Sequence, residues 1–184
     1  MPTLLFVCTG NQCRSPMATA FARRDLAVRG HSSVEVVSAG TAGPAGRPVT
    51  ADTASVLALR GLNASGHQSR LLADCLNPEP DLIVGMAREH ARAAVEANPL
   101  LFPKTFTLKD LVSRAGDAGP RRGGEELGAY LGRVGAGRGF AALAGAWSAD
   151  DIADPIGQPK ATYELCARQI EALVGDLVEL VWPA

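Results

Sequence analysis

Cys8, Arg14 and Ser15 fall within eight residues of one another, in Cys8-Thr9-Gly10-Asn11-Gln12-Cys13-Arg14-Ser15. A thiolate is a strong nucleophile, and a guanidinium can hold two oxygens of a tetrahedral oxyanion at once. A neighbouring hydroxyl can hydrogen-bond a sulfur as it attacks or leaves. The chemistry such a set performs is nucleophilic attack by sulfur on a bound oxyanion. Gly10 lets the backbone wrap without a Cβ in the way, and Asn11 tolerates left-handed dihedral angles. The backbone N–H groups of Thr9 to Ser15 would then cradle the anion.

Two elements must position this loop. Leu4 to Val7 is a short apolar run, suited to a strand buried on both faces of a parallel sheet. The pattern breaks at Cys8, and Ser15-Pro16 reads as a helix start, with Ser15 as N-cap and Pro16 in the first turn. A strand, a tight loop and a helix N-terminus aim N–H groups and the positive end of a helix dipole at one point. That field favours thiolate over thiol at Cys8. Cys-x5-Arg is a common spacing by chance; the strand before it, the serine after it and the helix start give it meaning.

Val7-Cys8-Thr9-Gly10-Asn11-Gln12-Cys13-Arg14-Ser15-Pro16-Met17 resembles the phosphate-binding loop of the low-molecular-weight protein tyrosine phosphatases. That family also has arginine-phosphatase and arsenate-reductase relatives. The resemblance runs through residues 1–100, returns from about 150, and is weak between 104 and 148. It implies a phosphomonoesterase working through a phosphocysteine, with Cys8 as nucleophile. Thr9, Gly10, Asn11, Gln12, Cys13, Arg14 and Ser15 would bind phosphate. Read alone, Asp154-Pro155 is a turn with a solvated carboxylate; the resemblance makes Asp154 the general acid, then the base. Asp150 and Asp151 lack the following proline. The resemblance also implies that Ser38 and His67 brace Asn11 and Ser15. His31 and His90 match nothing and are expected at the surface, while Cys75 and Cys166 are expected to be buried on helices.

The chain has 184 residues, enough for one domain with a substantial core, and a net charge of −1. That charge gives no push towards nucleic acid or an anionic membrane. Four cysteines show neither metal-ligand spacing nor a secreted disulfide framework, so no metal and no cofactor is expected. A working thiolate wants a reducing compartment, and the start carries no basic leader, so a cytoplasmic location is expected. The expected partners are a phosphorylated protein and phosphate or another oxyanion.

Apolar periodicity predicts helices over 16–29, about 50–60, 88–97 and 160–181, and a helical turn near Leu71. Strands are predicted at 34–38, 81–85 and 104–108. The alternation implies a three-layer α/β fold with a four-stranded, doubly wound parallel sheet covered on both faces. The resemblance implies the strand order 2-1-3-4. Ten of the twenty glycines lie between 116 and 145, a glycine-rich insert over about 116–148 of a single domain spanning 1–184. Within it Gly135 to Gly139 is expected to be a mobile loop, and Gly124 to Arg133 has room for a short helix.

Substrate is less determined than chemistry. Tyrosine-phosphate members wall the site with aromatics, yet Gly43 to Pro48 contains none and Ile156-Gly157 follows Asp154-Pro155. Gly157 resembles the arginine-phosphatase branch; Gln12 matches neither branch. Tyr130 or Trp147 would have to supply an aromatic wall from the insert. Ala87 stands where an aspartate commonly follows the methionine of the third strand. An arsenate reductase would need relay thiols, with Cys75 as the one candidate, and a silent phospho-ligand module would not need Asp154. Cys13 lies near enough in sequence for a Cys8–Cys13 disulfide under oxidation.

Overall fold

A computed structural model describes residues 1–144 and 149–184. The apolar run at the start forms β1 (Thr3–Cys8), which pairs in parallel with β2 (Glu35–Gly40) and β3 (Leu82–Gly85). Strand β4 (Thr105–Thr107) adds to β3, giving the order 2-1-3-4 expected from the resemblance. Successive side chains of β1 enter different cores. Leu4, Phe6 and Cys8 share one with α1 (Arg14–Val28), α2 (Ala51–Ala58), α4 (Leu108–Ala118), α5 (Leu127–Val134) and α6 (Lys160–Val181). Leu5 and Val7 share the other with Ala94 of α3 (Arg88–Ala97) and Leu101. Full burial stabilises each such large side chain by about 1.5–3 kcal/mol.

Several local expectations shift. Helix α1 starts at Arg14, with Cys13 at the N-cap position and no side-chain cap, because the Ser15 hydroxyl is turned inward. Helix α2 begins after Thr50, whose side chain accepts from Thr53 N–H, and Leu59 at its end is 70% exposed. The turn near Leu71 is a short 3-10 segment, Leu72–Cys75, and leaves Cys75 only half-buried. Leu165 of α6 is exposed. The inward stripe of that helix is Tyr163, Cys166, Ala167, Ile170, Val174, Leu177, Val178 and Val181, in which small and aromatic residues outnumber leucine.

The glycine-rich stretch is anchored. Arg138 is almost wholly buried, stacks on Phe102 and Phe106, and donates to Thr105 O at 2.7 Å. Cation–π contact and a buried carbonyl thus pin Gly135 to Gly139 against the end of the sheet, where sequence alone suggested mobility. Tyr130 on α5 is buried and cannot wall a site at the surface; Trp147 lies outside the described residues.

Candidate active site

Strand β1 carries Cys8 to the C-terminal edge of the sheet, opposite Gly40 of β2. A Cβ on Gly40 would meet Thr9 O at 2.6 Å and Asn11 N at 3.1 Å, so only glycine lets the loop fold back over β2. Thr41 and Ala42 N–H donate to the carbonyls of Cys8 and Thr9, each at 2.9 Å. Asn11 takes a left-handed conformation, φ +52°, as a loop curling into a helix requires. Among the described residues, no protein acceptor meets the backbone N–H groups of Gly10 to Ser15. Such a run of unpaired donors at a helix start is a nest for an anion.

The side chains of the loop orient one another. Arg70 N–H donates to Asn11 Oδ1 at 2.9 Å, which fixes the amide so that Nδ2 donates to Ser15 Oγ at 3.0 Å. With that lone pair occupied, the Ser15 proton can go to Cys8 Sγ at 3.0 Å or to Ala39 O at 3.4 Å. The shorter approach is to sulfur. His67 Nε2 donates to the carbonyl of Asn11 at 2.6 Å. Burial pulls the His67 imidazole below its usual range, against the opposing pull of that bond, and Arg70 and Arg23 push the same way. Ser38 is buried and lines, with His67, a cleft of about 660 Å3, but no hydrogen bond among the described residues ties its side chain to Asn11 or Ser15; Ser15 meets the carbonyl of the next residue, Ala39. Gln12 reaches the opposite rim, its Nε2 donating to Pro48 O at 3.1 Å.

Arg14 is buried and bridges the loop to a distant segment. Its Nη1 donates to Ile152 O at 3.0 Å, and its Nη2 to Thr9 Oγ1 at 3.2 Å and Asp154 Oδ2 at 2.5 Å. Its Nε is buried with no partner. Asp154 is the part-exposed member of the pair, its other oxygen accepting from Ile156 N–H at 3.1 Å. The segment that carries it is tied down on three sides. Ile152 N–H donates to Met86 O at 2.8 Å beyond β3, and Lys109 Nζ of α4 donates to the carbonyls of Ala149 and Asp151. Cys166 Sγ of α6 approaches Ala153 O at 3.8 Å. Asp151 and Asp150 are both engaged by Arg88. Asp151 Oδ1 accepts from Arg88 N–H at 2.8 Å, and Asp150 lies 3.4 Å from the Arg88 guanidinium.

Sequence reasoning missed His90. Expected at the surface, it is completely buried, because His90, Ala91, Ala94 and Val95 form the inward face of α3. Its Nε2 lies 3.0 Å from Thr9 Oγ1, directly beneath the loop. Burial first, and Arg14 second, push its pKa down to about 3. That helical spacing was the available signal. Two further thiols lie close by. Cys13 Sγ meets Thr53 Oγ1 at 2.9 Å and burial raises its pKa, while Cys166 is pushed up to about 12 by burial. Among the described residues, no cluster of His, Cys, Asp and Glu could hold a metal ion.

Residues 3–124 match the family described as low molecular weight phosphotyrosine protein phosphatase. The protein-arginine-phosphatase of Geobacillus stearothermophilus is 31% identical over 176 residues, 96% of this chain and 93% of that protein. The low molecular weight protein-tyrosine-phosphatase Etp of Escherichia coli K12 is 36% identical over 104 residues, 56% of this chain and 67% of its own length. A crystal structure of a low molecular weight protein tyrosine phosphatase from T. tengcongensis aligns with TM-score 0.72 at 29% identity, over 97% of this chain and 99% of that one. Fold and relatives together define a cysteine-dependent phosphatase. The chain belongs to the low molecular weight phosphotyrosine protein phosphatase family.

Proposed function

We propose that this chain hydrolyses phosphate monoesters on proteins, phosphotyrosine first among them, through a phosphocysteine formed on Cys8. The observation that carries the reading is the set of donors without acceptors in one loop: the N–H groups of Gly10 to Ser15 and Arg14 Nε, with Cys8 at the base. Phosphate oxygens would satisfy them. The Cys8 thiolate attacks phosphorus, and the leaving oxygen takes a proton from Asp154. Water then attacks the phosphocysteine with Asp154 as base, and Ser15 O–H steadies the departing sulfur. Asp154 is ion-paired with Arg14. Phosphate drawing Arg14 to itself would free that carboxyl to face the leaving oxygen.

A second substrate, phosphoarginine, is favoured by the relative named a protein-arginine-phosphatase, which this chain covers over 93% of its length. The rim supports it too, since among the described residues the exposed ones bordering Asp154 and Gly10 are Ile156, Gly157 and Gly43 to Pro48, without an aromatic ring. Cys75 is no relay thiol for arsenate reduction, because it packs with Leu5 and Val7, in the core on the other side of the sheet from Cys8. The test is kcat/KM for a phosphotyrosine peptide, a phosphoarginine peptide and arsenate under one set of conditions. Turnover of either phosphopeptide supports the reading; arsenate turnover alone would overturn it.

A further inference from the structure

We propose that His90 is a positioning residue that aims the Thr9 hydroxyl into the anion cradle, so that Thr9 donates a hydrogen bond to the bound phosphoryl group. The inference rests on the phosphatase reading of the loop and adds a side-chain donor to the backbone cradle and Arg14.

Three observations fix the protons. His90 is completely buried, and its Nδ1 has no hydrogen-bond partner. Its Nε2 lies 3.0 Å from Thr9 Oγ1 and 3.4 Å from Glu89 Oε1. Arg14 Nη2 donates to the same Thr9 oxygen at 3.2 Å. A histidine so buried beside a guanidinium is neutral and carries one N–H. Placing the proton on Nδ1 would bury a donor with no acceptor, and orphaned N–H groups are rarer in folded proteins than under-used acceptors. Placing it on Nε2 gives it two oxygen acceptors. The Nε2–H tautomer is therefore the one present.

Thr9 Oγ1 then accepts from both His90 and Arg14, and a hydroxyl has two lone pairs. Its own proton must point in the remaining direction, where no protein acceptor claims it among the described residues. Thr9 is the first residue after the nucleophile, at the base of the unpaired N–H groups. Without His90 the hydroxyl becomes a rotor that can turn a lone pair, rather than its proton, towards an incoming dianion. That orientation repels phosphate. His90 itself touches no reacting atom.

A double-mutant cycle reads this directly, with inorganic phosphate as probe in calorimetry and kcat and KM measured on para-nitrophenyl phosphate. His90→Leu should weaken phosphate binding about 10-fold, the usual scale for one hydrogen bond to a charged group, with KM rising more than kcat falls. His90→Gln, which keeps an amide donor at the reach of Nε2, should recover most of the loss. Thr9→Val should lose as much as His90→Leu, and the double variant should be no worse than Thr9→Val alone. Additive losses, or His90→Gln as poor as His90→Leu, would overturn the proposal. Should His90→Leu not fold, unchanged phosphate affinity in the near-isosteric Thr9→Val overturns it alone. Wild-type protein that binds phosphate without hydrolysing any ester would instead sink the phosphatase reading, and the binding cycle would still be readable.

Discussion

Arg14 holds Asp154, Thr9 and Ile152 in one contact set, so the proposed acid and the loop around Cys8 are joined through a single guanidinium. Replacing Asp154 with Ala should slow turnover of a poor leaving group about 10²–10⁴-fold, the worth of a general acid, and cost less with a good one. Equal rates on both leaving groups would remove Asp154 from that role. His90 makes a separate prediction. Its pKa is depressed to about 3 while the unfolded chain binds that proton near 6.5, so the unfolded state holds more protons between those values. Its neutral form supports the fold fully above pH 6.5, and that support is lost as pH falls towards 3, by up to about 1.4 kcal/mol per unit. Urea unfolding at pH 7, 6 and 5 should show a shallower pH dependence in His90→Gln than in wild type; parallel curves would contradict it. Cys8 and Arg14 stood out in the sequence as residue types at a telling spacing, whereas Asp154 was singled out only through the family resemblance. His90 was not, because its role comes from a contact between residues 81 apart in sequence.

At the scale of elements, the strand–loop–helix unit around Cys8 could be read from the chain because its causes are local: an apolar run, a glycine and a helix start. The cap of α3 could not. Ala87 stands at its N-cap with no side chain to offer, and Asp151 arrives from the acid loop to accept Arg88 N–H instead. The contact joins helix stability to placement of Asp154. Asp151→Ala should therefore cost about 1 kcal/mol of stability, the usual worth of a cap, and lower kcat as well. A stability loss with kcat unchanged would show that the cap does not position the acid. Cys13 stands at the N-cap of α1, five residues from Cys8, and its pairing with Cys8 under oxidation is a further prediction. Mild peroxide should give a Cys8–Cys13 disulfide by mass spectrometry, with activity restored by dithiothreitol. Sulfonic acid at Cys8 as the sole product would count against it.

Over the whole molecule, four parallel strands in the order 2-1-3-4 bring the ends of β1, β2 and β3 to one edge, where residues 8–15, 67–70 and 150–155 meet. That order followed from the family resemblance; alternation of strands and helices alone gives only the class. Within the glycine-rich insert the short helix expected over Gly124 to Arg133 is present as α5, whereas the anchoring of Gly135 to Gly139 was not legible, because Arg138 rather than a periodic pattern pins it. Arg138→Leu should lower stability by about 2 kcal/mol through loss of its ring stacking and its bond to Thr105 O, while phosphate affinity stays at the wild-type value. Among the described residues no helix is long and apolar enough to cross a membrane. The proposed reaction passes through a phosphocysteine on Cys8. Asp154→Ala turning over para-nitrophenyl phosphate, whose leaving group needs little acid, should accumulate the intermediate because the base for its hydrolysis is missing. Acid quench and peptide mass spectrometry should then find one phosphoryl group on Cys8. Hydrolysis persisting in Cys8→Ser, or steady turnover with no phosphoryl group on Cys8, would contradict the account.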